Sequence, residues 1–325
     1  MKKVILFIAF LLCLALVAAV VLVLDKENDI DNNYGDTQGN SNIIGEAIVI
    51  DGENYLPKRN VRNYLIIGVD EFGAADGVGV AQADFITVLS FNGDNNTYTM
   101  LSVNRDTMTA VDFYDYFGGE MKTATAQIAL SHNDGSYNGV SNHAKCQNTE
   151  KAVSQFLYGV EFEGYVSMTM DAVMKIVDYI GGVPMIADAE MAEILAGVSE
   201  GDEVILSGED ALAYIRARGG VSDGSNVSRM KRQEKFLECF FSRIDDLDLG
   251  FEELTDCYND ASAYMVAEQG IDTFDEIFGK LSTYERGEML SPAGEAKKGE
   301  EYMEFYADPE GLKDILRSVF FEKIK

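Results

Sequence analysis

Histidine is scarce in this chain. His132 and His143 are the only two, and neither has a partner at metal-ligand spacing, so the sequence offers no histidine metal centre and no obvious histidine base. Cysteine says as little: Cys13 lies in an apolar run, and Cys146, Cys239 and Cys257 form an odd set without zinc-site spacing. A bridge between Cys146 and Cys257 is compatible with an oxidising compartment, while Cys239 beside Phe240 reads as core. The G-x-S-x-G elbow of a serine hydrolase is absent, and Gly77-Val78-Gly79 is too short and wrongly flanked for a dinucleotide loop. No repeat appears at any period. Positive charge is also in short supply, with 26 basic residues against 55 acidic ones and a net charge of −29. That balance excludes nucleic acid as a partner and argues against a broad seat on an anionic membrane surface.

One long apolar run is present. Val4 to Leu24 is uninterrupted for 21 residues, long enough to span a bilayer, and follows Lys2 and Lys3. Ala18-Ala19 sits inside the run rather than after it, which favours an uncleaved anchor over a signal peptide. The two lysines then keep residues 1–3 in the cytoplasm, and the rest of the chain is exported at the cell membrane. The exported part has 24 basic and 55 acidic residues, a net −31, so any anionic ligand needs a local pocket, with a metal ion to help. Residues 25–45 are polar and acidic and read as a flexible stalk, and residues 46–325 read as one domain.

Within that domain, Tyr64 to Val69 is the short continuous apolar run of a strand buried on both faces. A Gly-rich loop follows Asp70, a second strand runs from Asp84 to Phe91, and a turn cluster at Asn92–Asn96 leads to a third from Tyr98 to Asn104. As an antiparallel meander, these strands bring Asp70, Asp84 and Arg105 to one sheet edge. Asp70 and Asp84 then form a candidate Mg2+ site, with few hard oxygen ligands and positions left for water and phosphate. Each also reads as an ordinary strand-end aspartate on so acidic a chain, and Arg105-Asp106-Thr107 equally as a buried ion pair or a cap. Helices are expected over 148–158, 171–180, 271–281 and 311–321, with extended chain at 162–168 and 183–186, an α/β pattern with helices on both faces.

The ten arginines are not spread evenly: Arg216, Arg218, Arg229 and Arg232 fall within seventeen residues. Ser207-x-x-Asp210 is a capping box that starts a short helix, which Gly219-Gly220 stops. In the next helix Arg229, Arg232, Gln233 and Phe236 share one face, and Met230, Leu237, Phe241 and Ile244 form the apolar stripe. Arginine's planar fork suits phosphate, and Arg216, Arg218, Arg229 and Arg105 are expected in one pocket, with Arg232 facing away or behind. The bland reading is two solvated helix ends.

Seven fragments occur here in a fixed order: LIIGVD at 65–70, QAD at 82–84, SVNRDT at 102–107, QIALSH at 127–132, IVDYIGGVP at 176–184, LSGEDALAYIRAR at 206–218 and SRMKRQ at 228–233. With them the chain resembles the LytR-CpsA-Psr family of cell-envelope phosphotransferases. The resemblance implies an α/β/α sandwich around a central mixed sheet, behind an N-terminal transmembrane helix. It implies a polyprenyl-pyrophosphate-linked glycan as donor and a peptidoglycan hydroxyl as acceptor. By the same resemblance Asp70 and Asp84 match the magnesium-binding aspartates, Arg105, Arg216, Arg218 and Arg229 the arginines around the pyrophosphate, and Gln233 the glutamine beside them. Phe72 and Gln82 stand where many members carry arginine, and Asn226 where an aspartate is usual. Two fewer arginines weaken pyrophosphate binding or adapt the site to another polymer. A non-catalytic glycan-binding or regulatory module is the alternative, and a pyrophosphatase differs only in using water as acceptor. Asp84 and Asp106 are both conceivable as the general base.

Overall fold

The computed structural model describes residues 46–69, 82–114, 121–133, 140–217, 221, 226–247, 260–268, 284–300 and 302–324. The apolar run at 4–24, the stalk, Asp70, Phe72, Arg218, Cys257 and the expected helix at 271–281 lie outside these residues. Among the described residues no helix is long and apolar enough to cross a membrane.

Strands β1 (Ile48–Ile50) and β2 (Glu53–Pro57) pair across Asp51-Gly52, both at positive φ, which is what a tight two-residue hairpin turn demands. The expected meander follows as β3 (Val61–Val69), β4 (Ala83–Asn92) and β5 (Thr97–Val103), antiparallel throughout. Its second turn is built from asparagine: the Oδ1 of Asn92 accepts from the amide of Asp94 and that of Asn95 from Thr97, while Asn96 takes φ 53°. A ribbon not expected from sequence, β6 (Met108–Tyr114) with β7 (Met121–Gln127), comes next and ends in a 3-10 turn at Ile128–Ser131.

Helix α1 (Asn142–Phe156) begins earlier than the expected residue 148, because Ser141 caps it by accepting the amide of Ala144 at 3.2 Å. Strand β8 (Gly164–Thr169) then pairs parallel with β3 and leads into α2 (Met170–Tyr179). Gly181 and Gly182, at φ 76° and 85°, end α2 as expected. A Cβ on Gly182 would lie 2.7 Å from the carbonyl oxygen of Leu206, so the chain turns tightly here into β9 (Val183–Ile186). Helix α3 (Ala189–Ile194), strand β10 (Glu203–Leu206), helix α4 (Gly208–Arg216) and the long α5 (Asn226–Asp246) complete the middle of the chain. Ser207 caps α4, accepting from the amide of Asp210.

Strands β11 (Met265–Ala267) and β12 (Glu285–Leu290) close the sheet in the order β11-β8-β3-β4-β5-β12. It is mixed, since β8 joins β3 and β12 joins β5 in parallel while the other pairings are antiparallel. A hairpin of β13 (Gly294–Lys298) and β14 (Met303–Ala307) precedes α6 (Pro309–Ile315), which runs on through a π-helical turn to β15 (Phe321–Lys323). On one sheet face Ile176, Ala211, Tyr214, Phe236 and Phe240 pack on Tyr64, Phe91 and Met100. On the other, Val153, Phe156, Leu312, Leu316 and Phe320 pack on Leu65, Ile67, Val88 and Leu101. Both faces of β3 are therefore dry, which is why its sequence reads as an unbroken apolar run.

One half-buried acid is shifted far enough to bear on stability near neutral pH. Burial and then the neighbouring charge of Glu268 push the Glu150 carboxyl of α1 up to about 7. Its unfolded value is near 4.5, so between these limits the folded chain holds a proton that the unfolded chain has lost. Stability is expected to fall as pH rises through that window and to stay lower above it. Glu150→Gln should flatten this dependence and raise the melting temperature at pH 8, measured by circular dichroism; a profile parallel to wild type would contradict the shift.

Candidate active site

The meander makes one edge of the sheet irregular. Gly68 pairs with Phe85 and Val69 with Ala83, which makes Asp84 the extra residue of a β-bulge, passed over by the β3 ladder. Gly68 permits this close approach, since a Cβ there would lie 2.8 Å from that of Phe85. Across the other ladder Ile86 pairs with Val103, and the same register carried two residues further sets Asp84 opposite Arg105. The two side chains join there: Nη1 of Arg105 donates to Oδ1 of Asp84 and Nη2 to Oε1 of Gln82. Nε lies 3.5 Å from Oδ1 of Asp106. Arg105 is only 8% exposed, so these acceptors hold a cation that water scarcely reaches.

Helix α5 brings the second positive charge. Arg229, 3% exposed, donates from Nη2 to the backbone carbonyl of Asp84 at 3.1 Å, and the bulge is what turns that carbonyl away from the β3 ladder. Met230 and Gln233 of the same helix line a small cavity with Asp84, Phe85, Ser102 and Arg105. Nε2 of Gln233 reaches the carbonyl of Ile215 at 3.4 Å, tying α5 to the end of α4. Of the expected site residues the structure thus gathers Asp84, Arg105, Arg229 and Gln233. Arg216 ends α4 with an exposed side chain, and Asp70 and Arg218 lie outside the described residues; β3 ends one residue before Asp70, at the edge where β4 starts.

Arg232 stands behind the site, as expected from its place one turn further along α5. It is 3% exposed and caps the end of α4, with Nε on the carbonyl of Tyr214 at 3.0 Å, Nη2 on that of Ala217 and Nη1 on Glu190 at 2.5 Å. Of the expected apolar stripe, Met230 is buried and Leu237 packs against the core, while the side chains of Phe241 and Ile244 lie outside the described residues. Phe236 and Phe240 face the core with Met230, and the side of α5 that carries the two arginines is buried rather than solvated. No sequence signal announces that backbone carbonyls receive its charges.

Sequence reasoning did not give Gln82 a bonding role and missed Gln127. The Nε2 of Gln127 donates to Oδ1 of Asp106 at 2.9 Å and to the carbonyl of Met303 at 2.7 Å. Met303 is 176 residues away, so no local signal announced that contact. The histidines have structural partners: Nε2 of His132 lies 3.6 Å from the Sγ of Cys146, and Nδ1 of His143 lies 2.9 Å from the Tyr165 hydroxyl. Cys146 is a buried free thiol, and burial pushes it up to about 12. Cys239 is half-buried and packs against the core.

A sheet edge carrying two buried arginines and an aspartate, in the order of the seven sequence fragments, invites comparison with known families. The model of the LytR_cpsA_psr family matches residues 22–304. The chain belongs to that family. Among relatives of this LytR_cpsA_psr member is a protein of Bacillus anthracis (strain CDC 684 / NRRL 3495) named polyisoprenyl-teichoic acid–peptidoglycan teichoic acid transferase TagU. It is 25% identical over 283 residues, covering 86% of this chain and 81% of its own. A protein of the same name from Halalkalibacterium halodurans is 28% identical over 174 residues, 54% of this chain and 50% of its own, so the match spans about half of that relative. Among solved structures, TagT bound to LIIa-WTA superposes with a TM-score of 0.57 at 18% identity, covering 80% of this chain and 89% of its own. The protein gbs0355 from Streptococcus agalactiae gives 0.65 at 16% identity, covering 80% and 86%. The mixed α/β fold around a central mixed sheet is therefore shared with these structures.

Because Arg232 satisfies two carbonyls and Glu190 at once, Arg232→Ala is expected to cost on the order of 1.5–3 kcal/mol of stability. Thermal denaturation measures it, and an unchanged midpoint would show that these bonds carry no net stability.

Proposed function

We propose that this chain is a membrane-anchored phosphotransferase that moves a glycopolymer phosphate from a polyprenyl-pyrophosphate carrier to a peptidoglycan hydroxyl. The observation that carries the reading is the convergence of Arg105 and Arg229 on Asp84, two cations concentrated at one sheet edge of a chain with net charge −29. The names of the TagU relatives, and TagT bound to LIIa-WTA, support the glycopolymer and peptidoglycan as substrates. In the reaction the acceptor hydroxyl oxygen forms a bond to the phosphorus that carries the glycan. The bond from that phosphorus to the bridging oxygen breaks, and polyprenyl phosphate leaves with the electron pair. The hydroxyl proton passes to a carboxylate, for which Asp84 and Asp106 are the alternatives at this edge. Arg105 and Arg229, with Arg216 at the end of α4 and Arg218 two residues on in the sequence, neutralise the pyrophosphate oxygens, and Gln233 adds a neutral donor.

Magnesium fits this donor set. Asp84 lines the cavity with a hard carboxylate, and Asp70 follows the last residue of β3. An ion held by one or two carboxylates, water and phosphate oxygens would need no more protein ligands than these two. When bound, the ion would supply Lewis-acid stabilisation of phosphate charge. The run at 4–24 would anchor the chain in the cell membrane, with residues 1–3 inside and the domain outside.

A second reading, a non-catalytic module for polyprenyl-linked glycan, draws on Gln82: in place of a further arginine, this side chain is spent on holding Arg105. Transfer assays separate the two readings. Asp84→Asn should abolish magnesium-dependent transfer of labelled glycopolymer to peptidoglycan while the circular dichroism spectrum is kept; binding of the lipid carrier with no turnover in wild type would favour the module. Arg218→Ala or Arg229→Ala should weaken binding of the pyrophosphate lipid about tenfold or more, since one charge-assisted hydrogen bond contributes roughly 1.5–3 kcal/mol. Lysine at either position should not restore it fully, for want of the bidentate fork. Unchanged binding in both alanine variants would overturn the phosphate-binding reading and leave Arg229 as a structural partner of the Asp84 carbonyl.

Protease added to intact cells should digest the domain. A mature chain that starts after Leu24 would show a cleaved signal instead.

A further inference from the structure

Asp106 sits in a tight, buried turn directly after Arg105. Its amide donates to Oδ1 of Asn104 at 2.9 Å, and the amide of Thr107 donates to the carbonyl of Asn104 at 3.0 Å. Its own carbonyl accepts the amide of Phe305 in β14 at 2.8 Å. One carboxylate oxygen, Oδ1, lies 3.5 Å from Nε of Arg105 and accepts from Nε2 of Gln127 at 2.9 Å. That nitrogen also donates to the carbonyl of Met303 at 2.7 Å. Both acceptors demand a donor, so chemistry fixes which end of the Gln127 amide faces them. Gln127 is 8% exposed, and it closes the end of β7 against both the turn and β14.

The guanidinium of Arg105 is therefore met in two ways. Asp84 and Gln82 accept hydrogen bonds from its Nη atoms at the edge where substrate is proposed to arrive, while the Asp106 carboxylate faces Nε from the side of the turn as an ion pair without a hydrogen bond. An arginine set for bidentate phosphate contact needs its plane held from a side the phosphate does not occupy. We propose that Gln127 is a positioning residue for the pyrophosphate site: by fixing Asp106, it sets the plane of the Arg105 guanidinium. The inference rests on the reading of Arg105 as a pyrophosphate-binding residue.

The test uses the full chain in detergent with magnesium, titrated with geranylgeranyl pyrophosphate, and compares wild type with Gln127→Met and Gln127→Glu while thermal denaturation reports folding. Gln127→Met keeps the volume and removes the donors, and should weaken binding about tenfold or more through a misplaced Arg105. Gln127→Glu sets a carboxylate against the Met303 carbonyl and against Asp106, behind which Arg105 stands. Asp106 raises the pKa of the introduced group, so at pH 5 it is protonated and donates again, while at pH 8 it repels. Affinity relative to wild type at the same pH should therefore be low at pH 8 and recover at pH 5, a reversal within one folded variant that loss of packing would not produce. Both variants at wild-type affinity, or a Gln127→Glu deficit that is the same at both pH values, would overturn the positioning role alone. Wild type that does not bind the probe would overturn the pyrophosphate reading and this inference with it.

Discussion

A cation buried at the end of a sheet survives only if acceptors are brought to it, and much of this fold is arranged around supplying them to Arg105. Stripping water from such a group costs several kcal/mol, which an unpaired arginine could not recover. The strand register provides Asp84, the stretch leading into β4 provides Gln82, and the turn after β5 provides Asp106. Each comes from a different backbone feature, so the pocket's charge is set by main-chain geometry as much as by side-chain choice. The bulge at Gly68 and Val69 serves twice: it aims the Asp84 side chain at Arg105 and turns the Asp84 carbonyl toward Arg229.

The arginines divide their work. Arg105 and Arg229 share one aspartate at the cavity, whereas Arg232 spends its fork on two helix-end carbonyls and Glu190. All three are nearly out of water, which is a different situation from a basic patch on the surface. In a chain this acidic, long-range attraction for an anionic ligand is weak, so any selectivity for an anion would have to come from short-range geometry.

The meander is legible in the amino-acid sequence, because turn-forming asparagines separate apolar runs of strand length, and with it comes the meeting of Asp84 and Arg105. The Ser207 cap and the Gly181-Gly182 stop are legible for the same reason, being signals confined to a few residues. What escaped was of two sorts. The ribbons β6–β7 and β13–β14 carry many polar and exposed positions, so no apolar alternation marks them. The burial of the arginine face of α5 escaped because buried arginines are rare, and the carbonyls that receive Arg232 belong to another helix end. The contact of Gln127 with Met303 depends on the fold bringing β14 to the turn after β5, which nothing local encodes.

The small sheet of β1, β2 and β15 bears on how the two ends of the described chain are held. Tyr55 at the middle of β2 pairs with Ile48 on one side and Lys323 on the other, so the first and last strands of the folded part flank a single strand. They lie about 10 Å apart, two strand spacings. Three residue pairs hold β1 to β2 and three hold β15 to it, so fraying of either outer strand would expose an edge of β2 without touching the ladders of the main sheet. One shared strand thus clasps the two ends of the described chain together, apart from the ladders that carry Asp84 and Arg105.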